Sequence, residues 1–247
     1  MATPLYNKNV VRPDMKNHQI AEFRFLLPLA AIYNMLWLLA IFIDPTVVHW
    51  GKLEVSASTF LVIMFFSLND VITEVYGYRI MKKVIWSTMF SLSIMIFLIF
   101  IVLSIPGITT WPDTQYKEIL NSSALVAMSG IIASLVSSFM NSYLLSRWKV
   151  LLRGRYYLGR SITTTAISAF FFTIIAYSYH LAHLPLERAM RYIISAYIIK
   201  LIADVIIAFP CTFLQYYLKK LENVDVFDIG VKFNIFSLKE NNVTITP

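Results

Sequence analysis

The chain has 247 residues, 58% of them hydrophobic and 15% aromatic, with a mean hydropathy of +0.66, which is too apolar for a soluble domain and fits an integral membrane protein. Its formal charge of +7 does not imply nucleic acid, because the basic residues gather in particular loops between apolar runs, as they do where charge sets topology. A single cysteine, Cys211, excludes a disulfide framework and a cysteine-based metal site.

In chain order, residues 1–24 form a polar arm with Lys8, Arg12, Lys16 and Arg24, and no apolar stretch in it predicts a cleavable signal. The first apolar run, Phe25–Ile43, ends at Asp44-Pro45 and is long enough to cross a hydrocarbon core of about 30 Å. A short connection with His49, Trp50, Lys52 and Glu54 leads to the second run, Val55–Thr73. A basic turn with Arg79, Lys82 and Lys83 follows. The third run, Val84–Ile105, carries no charge and reads as the most lipid-facing span. After Pro106-Gly107 and a mixed loop, the fourth run, Ala124–Ser146, sets Gly130, Ser134, Ser137, Ser138 and Asn141 on one helical face, a spacing that lets helices approach closely.

The most basic loop of the chain holds Arg147, Lys149, Arg153, Arg155 and Arg160 with no acid. The fifth run is Ser161–His183 and the sixth Ala189–Leu218; a polar tail, residues 221–247, closes the chain. Val224–Phe236 alternates somewhat, without enough regularity to predict a strand. Residues 25–220 thus read as one all-α domain of six transmembrane helices. The arm, the turn after span two and the loop after span four are rich in Lys and Arg, whereas the loops after spans one and three hold only Lys52 and Lys117. That asymmetry predicts a multi-pass protein of the inner (plasma) membrane with both termini cytoplasmic. The oligomeric state stays open, with a homodimer among the alternatives.

Chemistry concentrates in Phe65–Arg79, FFSLNDVITEVYGYR. At 3.6 residues per turn, Phe66, Asp70, Thr73, Glu74 and Gly77 share a face. Two acids one turn apart at the end of an apolar span are expensive to desolvate, and intramembrane acids point to function. The bland alternative for Glu74 is a headgroup position paired with Arg79 or Lys82. Lys200 lies about 16 Å along the sixth span, near mid-membrane, with Tyr197 one turn before it and Asp204 one turn after. Asp204 or Asp70 is the expected ion-pair partner of Lys200. His180 and His183 stand at i, i+3, where an interfacial position is favoured over a metal site. The nucleophile elbow, P-loop and HExxH motifs are absent, so neither enzyme chemistry nor a cofactor is indicated.

At NDVITEVYGYR, residues 69–79, the sequence resembles the queuosine precursor transporter family, also described as a vitamin-uptake family. The resemblance continues through Asn141-Ser142-Tyr143, Gly154 to Arg160-Ser161, Thr164-Thr165, and Tyr197 with Lys200 and Pro210. It implies six transmembrane helices, a bundle similar to vitamin-uptake substrate-binding subunits, and uptake of 7-deazaguanine precursors of a modified tRNA base. The chain departs from the family pattern at Ser137-Ser138, where Gly-Glu or Gly-Gln is usual, and around Ser168, Ala169 and Phe172, where further polar residues are usual. A deazaguanine presents two adjacent N–H donors that a carboxylate accepts together, and a carbonyl that Lys, Asn or Thr can donate to. Its faces suit stacking on Phe66, Tyr76 or Trp86. The expected substrate site is therefore Asn69, Asp70, Glu74, Asn141, Thr164, Tyr197, Lys200 and Phe66. The alternatives are a transporter of another flat nucleobase or vitamin, and a membrane subunit with no transport of its own.

Overall fold

The computed structural model describes residues 23–44, 46–50, 53–105, 113–178 and 185–230. Six helices carry it: α1 Leu26–Ile43, α2 Ser58–Tyr76, α3 Tyr78–Ser104, α4 Asp113–Leu151, α5 Tyr157–Ala176 and α6 Leu186–Glu222. Each is long and apolar enough to cross a membrane. Between α1 and α2 lies a hairpin that the sequence reading did not anticipate. Its strands, β1 Val47–Trp50 and β2 Leu53–Ser56, pair antiparallel with Val47 opposite Ser56 and Trp50 opposite Leu53. The β-branched Val47, Val48 and Val55 suit strands, so the second helix starts at Ser58 rather than Val55.

α2 is the centre of the bundle. It packs against α1, α3, α4, α5 and α6, and almost every side chain from Val62 to Tyr76 is buried, the polar ones included. A helix surrounded by others has no lipid to avoid, which is why this span tolerates Asn69, Asp70, Thr73 and Glu74. The outer helices show the opposite pattern. On α3, Met81, Ile85, Leu92 and Ile96 are buried at helical spacing while Phe90, Phe97 and Leu98 face outward.

Successive helices run antiparallel. At one end, the Phe25 N–H donates to Glu222 Oε1 at 2.8 Å, and Arg160 and Lys219 reach Glu74. This is the basic end. At the other, hairpin end, Val55 of β2 packs with Tyr177, just beyond α5, and with Tyr192, Ala196 and Ile199 of α6. α4 and α6 run to 39 and 37 residues, longer than the apolar runs that predicted them. At 1.5 Å per residue each exceeds about 50 Å; hydropathy marks the membrane-crossing part of a helix, not its polar continuation.

The basic turn expected after span two is a single residue. Gly77 adopts φ +85°, ψ 164°, and α3 starts at Tyr78, so Arg79, Lys82 and Lys83 belong to a helix. The first turn of α3 is capped from the tail: Asp228 Oδ2 accepts the Tyr78 N–H at 2.7 Å and the Ser146 hydroxyl at 2.7 Å. Residues 224–230 lie across this end as an irregular strap, the Val226 N–H reaching the Val75 carbonyl at 3.3 Å. A Cβ on Gly77 would stand 2.8 Å from Val226 Cγ1. Gly77→Ala therefore meets both a backbone region reserved for glycine and the strap. It should cost roughly 1–3 kcal/mol, seen as a lower melting temperature in detergent; an unchanged melt would contradict the strain.

Candidate functional site

Three polar zones lie along the bundle axis. The first is a cavity at the hairpin end, lined by Trp37 and Asp44 around the end of α1, Ser58 at the start of α2, Gly130 of α4, Phe172 and Tyr177 of α5 and its cap, and Lys200 of α6. Its volume of about 40 Å³ holds a few water molecules. Gly130 packs beside Trp37: a Cβ added there would lie 3.6 Å from Trp37 Cζ2, an ordinary van der Waals contact. The Lys200 ammonium donates to Thr173 Oγ1 at 3.0 Å and lies 4.8 Å from the Phe172 ring centroid and 5.2 Å from that of Tyr177. Aromatic faces attract a cation by their quadrupole, so the two rings hold the ammonium without a counter-charge in contact. No salt bridge joins Lys200 to Asp204 or Asp70 among the described residues. The expected pairing is thereby corrected: the lysine side chain runs toward Thr173 and the rings, away from Asp204. Asp204 is buried, and its Oδ2 has no hydrogen-bond partner among the described residues.

The second zone is deeper and built on Asn69 and Asp70. Asp70 is fully buried and accepts from three donors: Asn141 Nδ2 at 2.5 Å, the Ser161 hydroxyl, and Thr165 Oγ1 at 3.1 Å. Ser168 continues the network to Asn141 Oδ1 at 3.4 Å. Asn69 Oδ1 accepts from Ser142 at 2.6 Å and Thr73 at 3.2 Å, while its Nδ2 donates to the Ser138 carbonyl at 3.4 Å. The small residues on the α4 face thus do more than allow close approach, since Ser138 and Ser142 hold the amide. Phe65 and Phe66 pack on Trp37 and Phe172, two of the cavity's lining residues. Phe66 meets Phe172 edge-on at 5.7 Å, and Phe172 meets Trp37 at 5.8 Å.

The third zone is the basic end. Glu74 is buried and takes a two-point contact from Arg160, at 3.0 and 3.2 Å. Lys219 adds a contact at 2.7 Å, and Lys149 stands 3.8 Å away. Lys149 also bonds the Glu74 carbonyl, Asp225 and the Val226 carbonyl. Among the described residues Glu74 is held by Arg160, Lys219 and Lys149 rather than by Arg79 or Lys82, so the headgroup pairing is corrected. Glu74 lies inside the bundle, where cations from α4, α5 and α6 converge.

Of the residues expected from sequence, the structure joins Asp70 and Asn141 in one network, holds the neighbouring Asn69 separately through Ser142, Thr73 and the Ser138 carbonyl, and sets Lys200 in the cavity. Phe66 packs on Phe172 rather than lining the cavity. Glu74 sits in the third zone. Thr164 turns its hydroxyl to the Arg160 and Ser161 carbonyls of its own helix. Tyr197 is half-buried, donates to the Ala166 carbonyl at 3.3 Å and packs on Phe170 outside the cavity. Tyr76 and Trp86, considered for stacking, pack on Phe23 and Phe139. His180 and His183 lie outside the described residues. Sequence reasoning missed Trp37, Asp44, Ser58 and Tyr177. An acid closing an apolar run before Pro45 was the available signal, and it read as a stop.

A family model described as "putative vitamin uptake transporter" matches residues 56–215. No curated protein and no solved structure matches the chain. The match covers well over half of the sequence, and the chain belongs to this family, the queuosine precursor transporter-like family.

Proposed function

We propose that this family member, a multi-pass membrane transporter, imports a flat nitrogenous base of the 7-deazaguanine type, and that the hairpin-end cavity is where the base is first held. The observation that carries the reading is the cavity itself. It has Trp37, Phe172 and Tyr177 in its walls and the Lys200 ammonium within it, the combination a planar base with a carbonyl requires. Asn69, Asp70 and Asn141 form the deeper polar station on the same path. At about 40 Å³ the cavity is smaller than a bicyclic base, so entry requires its aromatic walls to part. Family membership supports a transporter rather than an enzyme.

The test is uptake of labelled 7-deazaguanine by cells producing this chain alone, with its aminomethyl analogue and guanine as competitors. Accumulation competed by the analogue and weakly by guanine supports the reading. Uptake of a different base would move the substrate, and no uptake of any would favour a subunit without transport of its own.

The loop asymmetry supports a cytoplasmic position for the basic end. With cysteine introduced at Arg155, an impermeant thiol reagent applied from outside should leave the protein unlabelled; labelling in intact cells would invert the topology.

A further inference from the structure

We infer that Asp44 is the carboxylate that reads the donor edge of the ligand, and that Asp44 and Lys200 together select an acceptor–donor–donor edge. This rests on the cavity being the substrate site. Asp70 looks like the natural reader from sequence, but Asn141, Ser161 and Thr165 already converge on it. Asp44 is different. Its Oδ1 accepts from Ser56 Oγ at 2.9 Å and Ser58 Oγ at 2.5 Å, and its Oδ2 has no hydrogen-bond partner among the described residues. A carboxylate offers about four lone-pair sites; the serines take at most two and fix its orientation, leaving both on Oδ2.

Asp44 and Lys200 line the same cavity, and no salt bridge joins them. Opposite charges that share a cavity without contact suit a ligand that bridges them. Such a ligand gives a carbonyl oxygen to the ammonium and adjacent ring N–H and exocyclic N–H groups to the carboxylate. Its plane lies among Trp37, Phe172 and Tyr177. Asp44 also lies outside residues 56–215, the part matched by the family model.

The experiment measures binding of 7-deazaguanine and 7-deazahypoxanthine, which lacks the exocyclic amine, to the purified full chain in nanodiscs. Wild type should prefer the former by roughly 10- to 150-fold, the range for one hydrogen bond to a charged group. Asp44→Asn keeps an oxygen for the two serines and replaces the free acceptor by a donor, so the preference should fall to about threefold or less. Ser56→Ala removes a support but leaves the carboxylate, and should keep most of the preference. Three results overturn the inference: an unchanged preference in Asp44→Asn, its loss in Ser56→Ala, or loss of both ligands in Asp44→Asn, where the ammonium and rings are intact. Equal binding of both compounds by wild type removes Asp44 as the reader but keeps the substrate. Binding of neither by wild type defeats the substrate reading, and the inference with it.

Discussion

Arg160→Met should leave a protein that barely folds. The guanidinium is buried, holds both Glu74 oxygens, and donates through Nε to the Arg155 carbonyl at 2.9 Å, with weaker contacts to the Leu145 and Gly154 carbonyls. It therefore ties the α4–α5 connection to the central helix. Methionine fills much of the stem's volume but satisfies none of these acceptors. Removing one partner of a buried ion pair costs about 3–5 kcal/mol, because the other charge is left uncompensated. Lys219 and Lys149 stay near Glu74 and offset part of that; the orphaned carbonyls add to it. Against a total stability of about 5–15 kcal/mol, such a loss is decisive. The measurement is the yield of monodisperse protein in detergent and its melting temperature. Glu74→Gln combined with Arg160→Met should recover part of the loss. A single variant that melts like wild type would show the pair to be dispensable.

The same cluster shows where sequence reading reaches its limit. The six spans were legible because each contains an apolar run of membrane-crossing length, and the acidic stretch of α2 was legible because acids are rare in such runs. Arg160 and Lys149 were read as loop charges, since a basic run between spans normally faces water and headgroups. Nothing local reveals that α5 starts at Tyr157 and points Arg160 back into the bundle at Glu74, 86 residues earlier. The strap is similar. Asp225 and Asp228 sit in a tail of alternating sign, and only the fold brings them to Lys149 and Tyr78. In the site, Asn69, Asp70 and Asn141 were found because amides and acids stand out in apolar spans. Trp37 and Tyr177 were not, because aromatic residues are common there and spacing does not distinguish a cavity wall from packing. The pairing of Lys200 with Asp204 failed for a directional reason. In a helix, side chains lean toward the N-terminus, which carries Lys200 toward Thr173 at the hairpin end and away from the residue one turn on.

Lys200→Met should abolish most uptake and leave the fold nearly intact. Methionine keeps an apolar stem between Phe172 and Tyr177 and removes the ammonium. The lost hydrogen bond leaves no orphan, because the Thr173 hydroxyl already donates to the Ala169 carbonyl at 2.6 Å. Loss of a charged donor to the ligand carbonyl costs roughly 1.5–3 kcal/mol, or about 10- to 150-fold in affinity. Arginine should not substitute well, since its planar fork does not fit the space of a compact ammonium between two rings. The second arm of the test concerns Asp204. If Lys200 and Asp204 were a registry pair, Lys200→Met with Asp204→Ala would be more stable than the sum of the two changes, and transport would return with folding. The geometry gives no such contact, so the two effects on melting should add to within about 0.5 kcal/mol, and the double variant should transport no better than Lys200→Met alone. A coupling above about 1 kcal/mol, or uptake restored in the double variant, would return Lys200 to a structural role and leave Asn69, Asp70 and Asn141 as the centre of the site.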